Sequence, residues 1–372
     1  MIQSLQLRNF KCFVEQSLDF APLTLLSGLN GQGKSSVLQA LLLLRQSCHQ
    51  GLLPDTGLSL NGDLVDIGKA EDALYENAEK DIIGFDLQWK NGSESQWVFD
   101  YKPEADVLSL NSKPVASESF EHPLFGKNFQ YLHAERLGPR VLSEKSDFQV
   151  RQRRQLGTRG QYAVDFLASF GREIKSLEGM RHPKAVSEDL FDQAEAWLGE
   201  ISPGTRLSFV EYPGKDLISL RYSFGTERQV SSDYRVTNTG FGLSYTLPVL
   251  VAILSAQPGA LLLLENPESH LHPKGQAKLG ELMARAANCG VQIVAETHSD
   301  HVLNGIRVAV HDGILSPDAV MLHFFERHLE KGYSEVISPK MDRNGRIDQW
   351  PEGFFDEWDK SLEALLMPAE DD

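Results

Sequence analysis

Cysteine is scarce in this chain: Cys12, Cys48 and Cys289 are the only three in 372 residues. They form neither a close pair nor a metal-ligand spacing, so a disulfide framework and a thiolate zinc site are both excluded. A reduced cytoplasm is the expected setting. Long apolar runs are also missing. The most apolar stretch, Leu247 to Leu264, is broken by Ser255, Gln257, Pro258 and Gly259. It reads as a helix, a turn and a buried strand, and excludes a membrane span. Positive charge is in short supply: 36 Lys and Arg stand against 52 Asp and Glu, a formal net charge of −16. A surface of that sign does not attract nucleic acid as a whole, so any such contact needs a local basic face. Met1 to Phe13 carries lysine, arginine and asparagine among its apolar residues and has no signal-peptide core. There is no internal repeat, low-complexity tract or Pro/Ser-rich linker.

What is present is an α/β pattern. Residues 1–27 alternate apolar and polar and predict short strands, the last of them Leu23 to Ser27. Lys34 to Gln46 fits a buried helix through Val37, Leu38, Leu41, Leu42 and Leu44. Ile82–Trp89, Gln96–Tyr101 and Val107–Leu110 read as a β-meander. Residues 162–200 look helical, punctuated by Gly171 and Pro183. Strands Leu207–Tyr212 and Leu217–Phe224 follow, then a helix from about Leu243 to Ala256. Leu261–Leu264 and Val291–Ala295 are short and continuously apolar, as in a parallel strand covered on both faces. Phe354 to Leu366 reads as an amphipathic helix, with Phe354, Phe355, Trp358, Leu362, Leu365 and Leu366 on one side.

Two motifs carry chemistry. Gly28-Leu29-Asn30-Gly31-Gln32-Gly33-Lys34-Ser35 matches the phosphate-binding loop and sits between a strand and a helix. Backbone N–H groups must close around phosphate oxygens, so glycines remove bulk and permit positive φ. The following helix aims its positive end at the anion. Lys34 reaches the outer phosphates, Ser35 offers a hydroxyl to Mg²⁺, and Ser36 follows in the same turn. The second motif is Leu261-Leu262-Leu263-Leu264-Glu265, an apolar strand ending in a carboxylate. An apolar strand ending in a carboxylate is what a Walker B element needs, and Glu265 is expected to sit beside the loop where it can support the Mg²⁺ shell.

On these residues the chain resembles ABC/SMC/RecF/OLD-type P-loop ATPases. Leu5 to Phe13 looks like their first strands, which places Asn9 and Lys11 beside the nucleotide. Glu265-Asn266-Pro267-Glu268-Ser269-His270-Leu271-His272-Pro273 resembles their Walker B and D-loop. Glu296-Thr297-His298-Ser299 resembles the switch-histidine motif, in which His298 would contact the γ-phosphate and orient water. Thr239 to Ser244 sits where an ABC signature would be. The tail from Asp342 to Phe355 is similar to that of a bacterial ATPase family associated with phage-defence gene clusters. The resemblance implies an α/β ABC-type ATPase head with a mixed β-sheet, an N-terminal antiparallel β subdomain, a helical insertion and a short C-terminal helix. It implies ATP and Mg²⁺ as ligands, and a homodimer in which the partner's Gly240, Gly242 and Ser244 complete the site. Expected divisions are 1–140, 141–204, 205–340 and 341–372.

One departure matters. Enzymes of this type place a water-polarising glutamate after the Walker B acid, and here that position is Asn266, whose amide cannot act as a base. Either Glu268 takes the role or hydrolysis is slow. His270 and His272 suggest a metal pair, but nothing nearby completes it, and a packing role reads better. Arg136, Arg140, Lys145, Arg151, Arg153, Arg154 and Arg159 form the one basic island, spanning 136–159, and could track DNA, dock a partner or stay solvated. The leading expectation is a dimeric ATP switch controlling a separate effector in antiviral defence, with no membrane contact. The alternative is a RecF-like DNA-binding ATPase. A transporter subunit lacks its standard signature, SMC proper lacks its heptad arms, and an OLD-type nuclease would have to act in trans.

Overall fold

The computed structural model describes residues 1–112, 116–226, 229–328 and 330–366. Its frame is a six-stranded sheet assembled from distant parts of the sequence. The N-terminal strands are β1 (Ile2–Phe10), β2 (Phe13–Asp19) and β3 (Leu23–Gly28), followed by α1 (Lys34–His49). Next come β4 (Ile82–Trp89), β5 (Glu94–Asp100) and β6 (Phe129–Leu132), then α2 (Ala163–Phe170) and α3 (Leu190–Ile201). Strands β7 (Thr205–Glu211) and β8 (Leu217–Thr226) precede α4 (Phe241–Ser255) and β9 (Leu261–Glu265). The chain then adds α5 (Pro273–Asn288), β10 (Gln292–Glu296), α6 (Asp300–His311), β11 (Val320–Arg327), β12 (Ser334–Ile337) and α7 (Glu357–Leu366).

The central order is β12-β11-β3-β10-β9-β6, parallel except for β12. Every residue of β9 and of β10 is buried. Their side chains alternate between two cores. Leu262 and Leu264 join one with α4, α5 and α6, while Leu261 and Leu263 join another with α1 and the N-terminal strands. A separate antiparallel sheet, β2-β1-β4-β5, covers α1. The register pairs Glu265 with Glu296 and Glu296 with Leu26, which brings three strand ends to one edge. Among the described residues no helix is long and apolar enough to cross a membrane.

Three element readings are corrected. In residues 162–200 the break that Gly171 announces is longer than punctuation: α2 stops at Phe170, α3 starts only at Leu190, and Leu190 N–H donates to the Ile174 carbonyl across the irregular span between. Both helices pack into the same core as α4, with Phe166, Leu167 and Trp197 buried there. Val107–Ser109 pairs with Gly57–Ser59 and not with β5, against which only an isolated Phe99–Leu110 bridge remains. The last helix begins at Glu357, because Phe355 takes a left-handed φ of 52° just before it. Phe354 is buried against Phe324, but Leu362, Leu365 and Leu366 are exposed. The Trp358 side chain lies outside the described residues.

Candidate nucleotide site

The site lies where β3, β10 and β9 end. Gly28 closes β3 at φ 138°, and a Cβ there would meet the Phe325 carbonyl oxygen at 2.5 Å, so no other residue fits. Gly33, at φ 105°, caps α1, and a Cβ there would strike Cys12 Sγ at 2.5 Å. The cap makes no side-chain hydrogen bond, which leaves the first N–H groups of α1 available to an anion. Gly31 and Asn30 lie at the exposed crest between them.

Lys34 is almost fully buried. Its Nζ donates to the carbonyls of Gly28 at 2.9 Å and Leu29 at 2.8 Å, and lies 3.9 Å from Glu296 Oε1. Burial lowers its pKa, and Glu296 opposes that shift. Ser35 Oγ donates to Glu296 Oε2 at 2.9 Å. Ser36 is buried in the same turn, its N–H donating to the Gly33 carbonyl. The residues thus fit a phosphate chain and a divalent cation: a glycine loop, a bare helix end, a mobile ammonium, a hydroxyl and nearby carboxylates.

Glu265 faces the other way. Tyr131 Oη donates to its Oε1 at 2.7 Å, Ala134 N–H to its Oε2 at 3.1 Å, and His133 Nε2 stands 3.6 Å off. In the arrangement described, the strand-end carboxylate that touches Ser35 is therefore Glu296. Burial pushes the Glu296 carboxyl up; Ser35 and Lys34 oppose this, while Glu265 and Glu268 add to it. Glu296 was readable in the sequence, since it ends an apolar strand just as Glu265 does. His133 and Tyr131 carried no comparable signal.

Asn266 takes a left-handed φ of 42°, and its N–H donates to the Glu296 carbonyl at 2.8 Å. Glu268 is buried, accepts the His298 N–H at 3.2 Å through Oε1, and leaves Oε2 without a hydrogen-bond partner among the described residues. Burial raises its pKa, against its own N–H, the Thr297 hydroxyl, the His298 N–H and Arg136. The His298 side chain reaches solvent but its ring is partly enclosed by protein, and that partial burial, followed by the charge of Lys34, lowers its pKa, which favours the neutral imidazole at pH 7. Ser299 caps α6 by accepting from Val302 N–H at 3.0 Å.

Several expectations are corrected by this geometry. Arg136 is not part of a basic surface: it is 1% exposed and donates to the carbonyls of Glu265 at 2.7 Å, Asn266 at 2.6 Å, His133 at 3.1 Å and Tyr245 at 3.1 Å. Asn9 donates its amide to the Ile82 carbonyl at 3.1 Å, which ties the end of β1 to β4. Lys11 Nζ reaches Gln39 Oε1 on α1 at 2.8 Å. Ser244 turns its hydroxyl into the interior, where it lines a cavity of about 170 Å³ with Val236, Leu247 and Pro248. It does not join Gly240 at the exposed helix end. Gly242 lies against the His270 carbonyl, 2.8 Å from where its Cβ would be, so α4 packs on the turn after β9. His270 packs on Tyr245 with ring centroids 4.4 Å apart and His272 caps α5, in line with the packing role expected for them.

Residues 23–304 match the family described as "AAA domain, putative AbiEii toxin, Type IV TA system". Residues 315–365 match "Protein of unknown function (DUF3696)". An OLD nuclease from Thermus scotoductus is 24% identical over 332 residues, covering 80% of this chain and 59% of that protein. The chain thus spans less than two thirds of that relative's length. The SMC head bound to the C-terminal winged-helix domain of ScpA superimposes with TM-score 0.54 at 15% identity, over 91% of this chain and 98% of that one. The SMC head with an extended coiled coil bound to the ScpA C-terminal domain, from Pyrococcus furiosus, gives 0.51 at 15% identity over 98% and 99%. The chain belongs to the AAA-domain family whose model matches residues 23–304, and its fold is that of SMC ATPase heads.

Proposed function

We propose that this protein is a Mg²⁺-ATP-dependent switch that pairs with a second copy of itself and controls a separate effector in bacterial antiviral defence. The observation that carries the pairing is the bare N-terminus of α4. Gly240 caps it without a side-chain hydrogen bond, a Cβ added to Gly240 would meet nothing within 4 Å, and Phe241 is 60% exposed. This end packs on the turn after β9, at the same sheet edge as the phosphate loop, yet among the described residues no hydrogen bond links 240–244 to 28–36. A helix end that offers N–H groups to no acceptor among the described residues suits the terminal phosphate of a facing copy. The defence setting rests on the toxin named in the family description.

Within each copy the loop amides and Lys34 would hold the phosphates, and Ser35 with the adjacent carboxylate Glu296 would hold Mg²⁺, while Glu265, expected there from the sequence, is engaged by Tyr131, Ala134 and His133. When bound, that cation supplies positive charge to the phosphate oxygens. Glu268, with a free buried oxygen, would take the proton of the attacking water. His298, neutral and exposed, would orient that water.

Light scattering of wild type, Gly240→Arg and Lys34→Ala, with and without Mg²⁺-ATP, tests the reading. Wild type should shift toward a dimer with nucleotide. Gly240→Arg should bind ATP and stay single, and Lys34→Ala should neither bind ATP nor pair. A wild-type mass unchanged by saturating Mg²⁺-ATP would overturn the pairing.

A further inference from the structure

Three carboxylates, Glu265, Glu268 and Glu296, are all buried at the ends of β9 and β10 or just beyond. The cations facing them are few. Arg136 is committed to four backbone carbonyls. Lys34 is folded onto its own loop and lies 3.9 Å from Glu296. Of the three acids, Glu296 alone contacts the phosphate loop, through Ser35 Oγ at 2.9 Å. It is also the one on the strand next to β3.

A triphosphate entering this loop brings several more negative charges to the same buried volume. Lys34 must then leave the Gly28 and Leu29 carbonyls for the phosphates, and Glu296 loses that counter-charge. A carboxylate that is 6% exposed cannot recover it from solvent. Only a cation arriving with the nucleotide can lie between Glu296 and the phosphate oxygens.

Resting on the phosphate-loop reading above, we propose that Glu296 is the specificity residue for the metal complex of the nucleotide: its fixed negative charge beside Ser35 excludes cation-free triphosphate. Glu265 is less suited to that task, because both of its oxygens are turned to Tyr131, Ala134 and His133. The role is one of discrimination and differs from proton transfer, which needs a group facing the water.

Calorimetric ATP titrations in excess Mg²⁺ and in EDTA, on wild type, Glu296→Gln and Glu296→Asp, test the proposal. Glutamine keeps the shape and still accepts from Ser35; aspartate keeps the charge. Wild type should lose on the order of 100-fold or more in affinity when the cation is removed. Glu296→Gln should shrink that ratio by about tenfold, the worth of one charged contact, chiefly by binding cation-free ATP better. Glu296→Asp should retain the wild-type ratio. An unchanged ratio in a Glu296→Gln protein that melts like wild type would overturn the proposal, as would a ratio lost equally in the aspartate variant. If wild type binds no ATP even with Mg²⁺, the phosphate-loop reading itself fails, an outcome distinct from an unchanged ratio. Inorganic triphosphate, titrated in the same two buffers, should show the same discrimination, since the charge and not the base is what Glu296 senses.

Discussion

Glu268 accepts the backbone N–H of His298 at 3.2 Å through one oxygen, while its other oxygen is buried without a partner among the described residues. A buried unpaired carboxylate oxygen is costly unless a ligand or water completes it. On the proposed function, Glu268 is the acid that would take the proton of water, in a chain whose usual position for that acid is Asn266. Glu268→Gln should therefore keep ATP binding and lower turnover by about 10²–10⁴-fold, the ordinary contribution of a general base. Steady-state phosphate release checks this. Asn266→Glu should not restore turnover to the Glu268→Gln protein. Asn266 adopts φ 42°, and its backbone is held by Glu296 on one side and Arg136 on the other, so its side-chain direction is fixed by the turn. Restoration by Asn266→Glu would move the base to that position.

Arg136 joins the turn after β9 to α4, and its removal leaves four carbonyls without their donor. Hydrogen bonds from a charged donor contribute about 1.5–3 kcal/mol each, not additively. Arg136→Met should cost about 3 kcal/mol or more in stability by denaturant unfolding. It should also loosen the nucleotide site, because Glu265 and Asn266 lose their shared anchor. Wild-type stability with normal nucleotide binding would refute the linkage.

Much of the fold is legible from two periodicities. The continuous apolar runs at Leu261–Leu264 and Val291–Ala295 become fully buried parallel strands, and the glycine loop falls between β3 and α1. What stays hidden depends on contacts between distant segments. Nothing local in Val107–Ser109 tells it to pair with Gly57–Ser59. Arg136 reads in sequence as one more cation in a basic run, because its four acceptors come from α4, β9 and its flanks. Ser244 and Gly240 are four apart at a helix start, yet one points inward and the other outward, a matter of how α4 seats on its core. The site motifs name the right neighbourhood but not the direction of each carboxylate, which is why Glu296 does not stand out beside Glu265 until the strands are assembled.

Acid should weaken the fold through His323. This residue is 2% exposed on β11, with Nδ1 2.8 Å from Ser338 Oγ and Nε2 2.8 Å from the Asp19 carbonyl oxygen. The carbonyl requires Nε2 to donate, and burial favours the neutral ring, in which Nδ1 accepts from the Ser338 hydroxyl. Burial lowers its pKa, opposed by the hydrogen bond and charge of Asp19. A lowered folded-state pKa means that the unfolded chain binds the proton first, so stability is full above about pH 6.5 and falls on acidification below it. His323→Gln should be less stable at pH 7.5 but lose less of its stability on acidification to pH 5.5 than wild type. Melting temperatures at the two pH values check this, and parallel losses would show that His323 does not contribute to the acid limb.

Seven cations lie between residues 136 and 159, but the structure leaves few of them free for DNA. Arg136 is buried, Lys145 pairs with Glu211, Arg151 with Asp147 and Arg159 with Glu135. Arg153 and Arg154 lie over the rings of Phe148 and Phe170, which leaves their outer faces and Arg140 to meet a phosphate backbone. Three cations would give a slope of log affinity against log salt of no more than about −3 for duplex DNA. With the net charge at −16, that gain is set against repulsion from the rest of the surface. Duplex DNA should therefore bind weakly at 150 mM salt and should not stimulate ATP hydrolysis. Fluorescence anisotropy across a salt series, with phosphate release measured in parallel, checks both. A steep slope, DNA-stimulated turnover, and loss of both in an Arg140→Glu, Arg153→Glu, Arg154→Glu protein would reverse the ranking: the chain would then be a DNA-binding ATPase first, and the effector would have to be sought on the DNA.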